Sequence, residues 1–277
     1  VTAELVYDDG QVTLWHGDIR RADLPGDAAA AVVTSPPYNV GVTYDAVSDV
    51  LAWHDYWELA YRSAEVIAGV LVPGGRAWVN TAVSVPENPD EVGPQSSSTA
   101  KRRVMLAHRW AAILERAGLA LVDQVAWCSP RGAGTAWGSW ASPAAPNLRG
   151  DYEAVTVACR GGWERHPPEG YEGWRDGVGG WPALCSTVWN LTPARRQGHP
   201  APFPLELARR CIRLSTWPGE VVFDRSPAPA PPCSPPASSD AVRSAWRPRR
   251  RTASTSWAGW RRASWPSTGP PERQREM

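Results

Sequence analysis

At 277 residues, 43% of them apolar, the chain can bury a full core, as one large domain or two small ones. No apolar run approaches the roughly 18 residues a bilayer span needs, and Val1-Thr-Ala-Glu-Leu5 lacks the basic and apolar regions of a secretory signal, so a soluble cytoplasmic protein with no membrane partner is expected. The formal charge of +1 averages two unlike parts: the ten arginines of residues 225–277 against Asp240, Glu272 and Glu276 give +7, which leaves −6 for residues 1–224.

In chain order, Gln11–Trp15 alternates like a short strand, and Ala28–Thr34 ends in an apolar run typical of a buried parallel strand that leads straight into Ser35-Pro36-Pro37. Apolar residues at helical spacing (Leu59, Ala60, Ala64, Ile67, Ala68, Leu71) predict a helix over Trp57–Leu71. Pro73-Gly74-Gly75 stops it before a strand at Arg76–Asn80. Residues 81–99 read as a loop, Lys101–Ala117 as a second helix closed at Gly118, and Leu119–Trp127 as the next strand. From 129 to 189 the pattern breaks into Gly, Pro and Trp around one strand at Ala154–Cys159. A helix over Pro204–Leu214 and a strand over Gly219–Asp224 follow. Alternating helices and strands predict an α/β fold with a mostly parallel sheet covered on both faces. The expected divisions are an α/β part at 1–128, an insertion at 129–189, a return to the sheet at 190–224, and a tail at 225–277.

The tail holds ten Pro and no Ile, Leu, Phe, Tyr, Lys or Asn, so no hydrophobic period can be written through it. The five cysteines show no Cys-x-x-Cys spacing, and with an odd count they read as reduced thiols rather than a disulfide framework or a metal site.

Chemistry concentrates at Thr34-Ser-Pro-Pro-Tyr-Asn39, at the predicted carboxyl end of a buried strand, where ligands bind in open α/β sheets. Two prolines fix the backbone and keep the Pro36 carbonyl out of a helix. An exocyclic amine on cytosine or adenine is a poor nucleophile because its lone pair is delocalised into the ring. A catalyst must accept hydrogen bonds from its N–H groups and draw the nitrogen towards tetrahedral geometry, which Ser35 Oγ and the Pro36 carbonyl are suited to do. Tyr38 stacking on the base is worth about 1–3 kcal/mol and helps offset the few kcal/mol of flipping it from the duplex. The rival for the isolated tetrapeptide is a rigid Pro36-Pro37 turn with Tyr38 packed in a core.

Three further segments fall in a particular order: Trp15-His-Gly-Asp18, Leu71-Val-Pro-Gly-Gly75 and Gly198-His-Pro-Ala-Pro-Phe-Pro204. With Ser35-Pro-Pro-Tyr38 ahead of Val221-Val-Phe-Asp224, the chain over residues 6–224 resembles the beta group of amino-group DNA methyltransferases, in which the catalytic motif precedes the cofactor motif. The resemblance implies a Rossmann-like methyltransferase sheet and transfer of methyl from S-adenosyl-L-methionine to the N4 amine of cytosine or the N6 amine of adenine in double-stranded DNA. It requires neither a metal nor a covalent enzyme intermediate. It implies Ser35, Pro36, Pro37 and Tyr38 around the base, and Asp18, Thr34, His199, Pro200, Phe203 and Asp224 around the cofactor. Ser at the first motif position leans towards cytosine.

After Asp224 the resemblance breaks. The family continues Pro-Phe-Ala-Gly-Ser-Gly-Thr-Thr, a glycine turn that approaches the cofactor closely, where this chain reads Arg225-Ser-Pro-Ala-Pro-Ala-Pro-Pro-Cys233. Proline has no N–H and cannot adopt positive φ, so the cradle is missing and the chain is expected to be inactive. A slip of reading frame accounts for this. Asp-Pro-Phe-Ala-Gly-Ser-Gly-Thr-Thr-Leu, written GAC CCG TTC GCC GGC TCC GGC ACC ACC CTG and followed by C, loses one C after GAC and becomes GAC CGT TCG CCG GCT CCG GCA CCA CCC TGC. That translates as Asp224 through Cys233 residue for residue. The competing reading is a genuine Arg/Pro-rich arm that binds nucleic-acid phosphates.

Trp137, Trp140, Trp163, Trp174, Trp181 and Trp189, interleaved with Arg131, Arg149, Arg160, Arg165 and Arg175, suit either target recognition or packing. Lys101-Arg-Arg103 reads as a solvated helix start or a phosphate contact. Two other readings of the whole remain: a non-catalytic DNA-binding remnant, and a methyltransferase acting on an amino group of RNA or protein.

Overall fold

The computed structural model describes residues 4–19, 24–41, 43–44, 47–48, 50–87, 103–129, 142–144, 146, 148, 150–169, 171, 180–194 and 204–224. Strands β1 (Glu4–Asp8) and β2 (Thr13–His16) pair antiparallel in a sheet of their own. The hairpin turns where Asp9 Oδ1 accepts from the N–H groups of Gln11 and Val12, both at 2.8 Å. Then come β3 (Ala29–Thr34), the short antiparallel pair β4 (Thr43–Tyr44) and β5 (Val47–Ser48), α1 (Trp53–Val70) and β6 (Leu71–Ala82). A second short pair, β7 (Val85–Pro86) and β8 (Arg103–Val104), precedes α2 (Leu106–Arg116) and β9 (Leu119–Cys128). The described chain continues with β10 (Tyr152–Arg160), α3 (Trp181–Leu184), β11 (Val188–Asn190), α4 (Leu205–Arg213) and β12 (Val222–Phe223).

The main sheet has the order β11-β9-β10-β6-β3-β12. β3 is parallel to β6 and β12, and β11 to β9, while β10 lies antiparallel between β6 and β9. Five strands therefore share one direction, and the expectation of a mostly parallel sheet needs one amendment: its reversed strand is central. β10 runs antiparallel to β9 with Cys128 paired to Tyr152, so the 129–151 connection leaves and re-enters the sheet at the same end. The segment expected as an insertion thus supplies a central strand as well as the short β11.

Both faces are covered, which is why the strand sequences read as continuous apolar runs. Val32, Ala77 and Val79 face α1 and α2, in a core with Tyr56, Ala60, Ala64, Ile67, Leu106, Trp110 and Leu114. The alternate residues Val33, Trp78, Val155 and Val157 pack with Trp127, Trp189 and the α4 residues Leu207, Ala208 and Cys211. The helix expected at Trp57–Leu71 starts one turn earlier and stops at Val70. Ala29 then pairs with Leu71 but Ala31 with Arg76, so four residues bulge opposite Ala30. Glycine is needed there: Gly74 has φ +74°, and a Cβ on Gly75 would come within 2.8 Å of the Val72 carbonyl.

The helix expected from Lys101 begins only at Leu106. Arg103 instead bonds Ser84, Nε to Oγ at 2.8 Å and Nη2 to the carbonyl at 2.7 Å, which ties β8 beside the end of β6. Lys101 and Arg102 lie outside the described residues. At the amino end of the sheet Arg160 pairs with Asp27 and donates to the Gly69 and Leu71 carbonyls, Arg165 pairs with Glu220, and Arg76 lies 4.1 Å over Trp163. Trp189 is fully buried against Trp78. Of the Trp/Arg series, Arg160, Arg165 and Trp189 hold the fold together; Trp163 and Trp181 are exposed, and Trp137, Trp140, Trp174, Arg131, Arg149 and Arg175 lie outside the described residues.

Candidate active site

β3 ends at Thr34, so Ser35-Pro36-Pro37-Tyr38 leaves the sheet at its carboxyl edge. Pro36 is buried, while Ser35, Pro37 and Tyr38 are half-buried, which keeps the tetrapeptide from being sealed in the core. Two helices brace it. Tyr56 of α1 donates its hydroxyl to the Pro37 carbonyl at 2.7 Å and accepts from Trp110 Nε1 of α2 at 3.0 Å. Asn39, at φ +59°, takes the left-handed turn that asparagine tolerates better than most residues. Its amide closes two bonds with the backbone of Leu51, 3.0 Å to the carbonyl and 2.7 Å from the N–H, and so ties the two ends of the 40–50 excursion together.

Tyr38 reaches across β6 to β10. Its hydroxyl donates to Glu153 Oε2 at 2.8 Å and lies 3.3 Å from Ser35 Oγ. Asn80 Nδ2 donates to the Tyr38 oxygen and to Glu153 Oε2, both at 2.9 Å. The sheet register sets this up: Ala82 pairs with Glu153 and Asn80 with Val155, so the two polar side chains are diagonal neighbours on one face. Asn80 is buried, and its Oδ1 has no hydrogen-bond partner. An orphaned buried acceptor costs about 1–3 kcal/mol; turning the amide over would set that oxygen against the Glu153 carboxylate instead.

Neither Asn80 nor Glu153 is among the site residues expected from the sequence. The available signal was a polar residue closing the apolar strand Arg76–Asn80 and another opening Ala154–Cys159, both at the edge where an α/β sheet works. Of the residues expected around a cofactor, Thr34 is buried at the end of β3 opposite Val79. Phe223 pairs with Val32, so Asp224, one residue on, lies beside Val33 and close in register to the tetrapeptide. Asp18 is half-buried, two residues beyond β2. His199, Pro200 and Phe203 lie outside the described residues. Burial pushes the Cys159 and Cys211 thiols up, so neither offers a ready thiolate.

A twice-covered α/β sheet with Ser-Pro-Pro-Tyr leaving a strand's carboxyl end is the methyltransferase fold that the sequence leads one to expect. The profile of the N6/N4 DNA methylase family matches residues 29–225, well over half of the chain, and the chain belongs to that family. It is by family an S-adenosyl-L-methionine-dependent DNA methyltransferase. Type II methyltransferase M.MjaVI of Methanocaldococcus jannaschii is 25% identical over 155 residues, 56% of this chain and 73% of that protein. Among solved structures, TTHA0409 of Thermus thermophilus, assigned as a DNA modification methylase and complexed with S-adenosyl-L-methionine, has a TM-score of 0.55. It shares 24% identity over 75% of this chain and 76% of its own. The cytosine-N4-specific PvuII DNA methyltransferase gives 0.57, with 17% identity over 79% of this chain and 76% of its own. These likenesses establish the fold.

Proposed function

We propose that this chain carries the base-holding half of an enzyme that methylates an exocyclic amine, N4 of cytosine or N6 of adenine, within a specific sequence of double-stranded DNA. The observation that carries this reading is the half-buried tetrapeptide at the end of β3, braced through the Pro37 carbonyl and with Tyr38 fixed by Asn80 and Glu153. In this reading Ser35 Oγ and the Pro36 carbonyl accept the two amine hydrogens, Tyr38 stacks on the ring, and orientation of the amine supplies most of the rate. Ser at the first position of the motif favours cytosine. No described helix is long and apolar enough to cross a membrane.

The residues that should complete the cofactor pocket do not fit it. β12 delivers Asp224 to the working edge beside Val33. The next eight residues, Arg225 to Pro232, contain four prolines and no glycine, so half of them have no N–H to donate and none brings the ready access to positive φ that a close backbone approach to a nucleoside requires. We therefore propose that the chain as it stands does not complete methyl transfer, and that one nucleotide lost after codon 224 is the cause. The decoding of Asp224–Cys233 into the family's glycine turn supports this over an evolved basic arm, which has no reason to decode so. Restoring the frame and assaying methyl transfer to duplex DNA, RNA and protein tests the reading. Transfer to the DNA amine is expected; a restored chain that methylates only RNA or protein, or none of the three, overturns it.

A further inference from the structure

The network at Tyr38 has a direction, and the direction ends on Ser35. A carboxylate only accepts hydrogen bonds, so the Tyr38 proton is committed to Glu153, 2.8 Å away. Asn80 spends both amide hydrogens, one on each of these partners. The Tyr38 oxygen is then left as an acceptor, and in its 3.3 Å contact with Ser35 Oγ the serine hydroxyl must be the donor. With its proton turned to Tyr38, Ser35 presents lone pairs to the site. An undirected serine can donate or accept with equal ease, and a hydroxyl proton pointed at an incoming amine would repel it.

We infer that Glu153 is a positioning residue for base binding: through Tyr38 it turns the Ser35 hydroxyl proton away from the site, so that Ser35 acts as an acceptor for the exocyclic amine. Asn80 holds the pair together. The arrangement gives serine what a carboxylate at position 35 would have by its own chemistry. No bond is made or broken, and no group beyond the chain's own side chains takes part. The inference rests on the reading that this site holds an amino-bearing base, and it concerns residues that precede the altered tail, so the chain as it exists can test it without methyl transfer.

The probes are short thymine-only single strands carrying one central cytosine, or in its place pyrimidin-2-one, which lacks the amine. A second pair compares adenine with purine. Binding is followed by fluorescence anisotropy, and each variant's fold is checked by circular dichroism. The unaltered chain is expected to prefer the amino-bearing strand of at least one pair by about tenfold, the scale of one or two hydrogen bonds. Tyr38→Phe keeps the ring and breaks the chain of bonds, and Glu153→Leu removes its anchor; both should still bind but lose the preference. The double variant Ser35→Asp with Glu153→Leu should regain it, since an acceptor-only side chain needs no direction, and a merely structural Glu153 predicts no such rescue. Tyr38→Phe serves should Glu153→Leu not fold. A preference absent from the unaltered chain, or surviving in Tyr38→Phe or a folded Glu153→Leu, overturns the inference while leaving the base site in place. Binding of every strand that is indifferent to Tyr38→Ala, or no binding at all, overturns the base site itself and the inference with it.

Discussion

The two sides of β3 reach the same working edge but are held there in different ways. Towards β6 and β10, Tyr38, Asn80 and Glu153 are joined by three hydrogen bonds of 2.8–2.9 Å, with Tyr56 and Trp110 bracing the motif behind them. Towards β12 there are two half-buried paired residues, Val222 and Phe223. They are anchored at their start by Glu220, which pairs with Arg165 and accepts from the Trp217 N–H at 2.8 Å. The first side is closed by residues far apart in sequence but all ahead of residue 154. The second depends on what the chain does after Asp224. A change of sequence beyond β12 therefore reaches one side and leaves the other standing.

That contrast can be broken or sharpened by experiment. The largest effect is expected from restoring the reading frame, which should raise S-adenosyl-L-methionine affinity by about a hundredfold or more, into the micromolar range. Isothermal titration reads this directly, and micromolar binding by the unaltered chain would remove the asymmetry altogether. Next, Tyr38→Ala should weaken capture of a single-stranded target by roughly 5- to 100-fold, the worth of one stacked base, without moving the melting temperature by more than a few degrees. A smaller change is expected on the other side. Arg165 and Glu220 are 10% and 21% exposed, so Arg165→Ala strands a partly buried acid and should cost about 2 kcal/mol in chemical denaturation. Hydrogen exchange should rise at Val222 and Phe223 while Asn80 and Val155 stay protected; a uniform rise would show that the two sides are not separable. Comparable in size is Tyr56→Phe, which deletes both the bond to Pro37 and the one from buried Trp110 Nε1 and should cost about 2 kcal/mol. If it instead weakens base capture as much as Tyr38→Ala, the brace matters more than the ring.

Much of the frame was legible because local rules and the fold agree. The apolar run Ala28–Thr34 could only be a strand covered on both sides, and Pro73-Gly74-Gly75 marked the end of a helix, which falls at Val70, three residues ahead of Pro73. Ser35-Pro-Pro-Tyr38 carried its own geometry in its prolines. What escaped notice was decided at a distance. Nothing within Tyr152–Arg160 says that it runs against its neighbours; that is decided by its pairing with β6 and β9. Arg103 belongs to a strand because Ser84 holds it, a partner 19 residues away. Glu153 and Asn80 stand 73 residues apart, and only the β6–β10 register makes them neighbours of Tyr38. The hairpin partner Glu4–Asp8 was missed because a lone five-residue segment carries too little pattern to separate strand from coil.

The reversed strand at the middle of the sheet carries an evolutionary consequence. A parallel strand brings its last residue to the rim where a substrate sits; β10, entering the other way, brings its first. The connection that leads into it, 129–151, therefore starts and finishes at that rim, since Cys128 and Tyr152 face each other there. Insertions, deletions or wholesale replacement between those two positions leave the strand order of the sheet untouched. On the proposed reading of the site, selection has in this stretch a place to vary what meets the DNA without reopening how the protein folds.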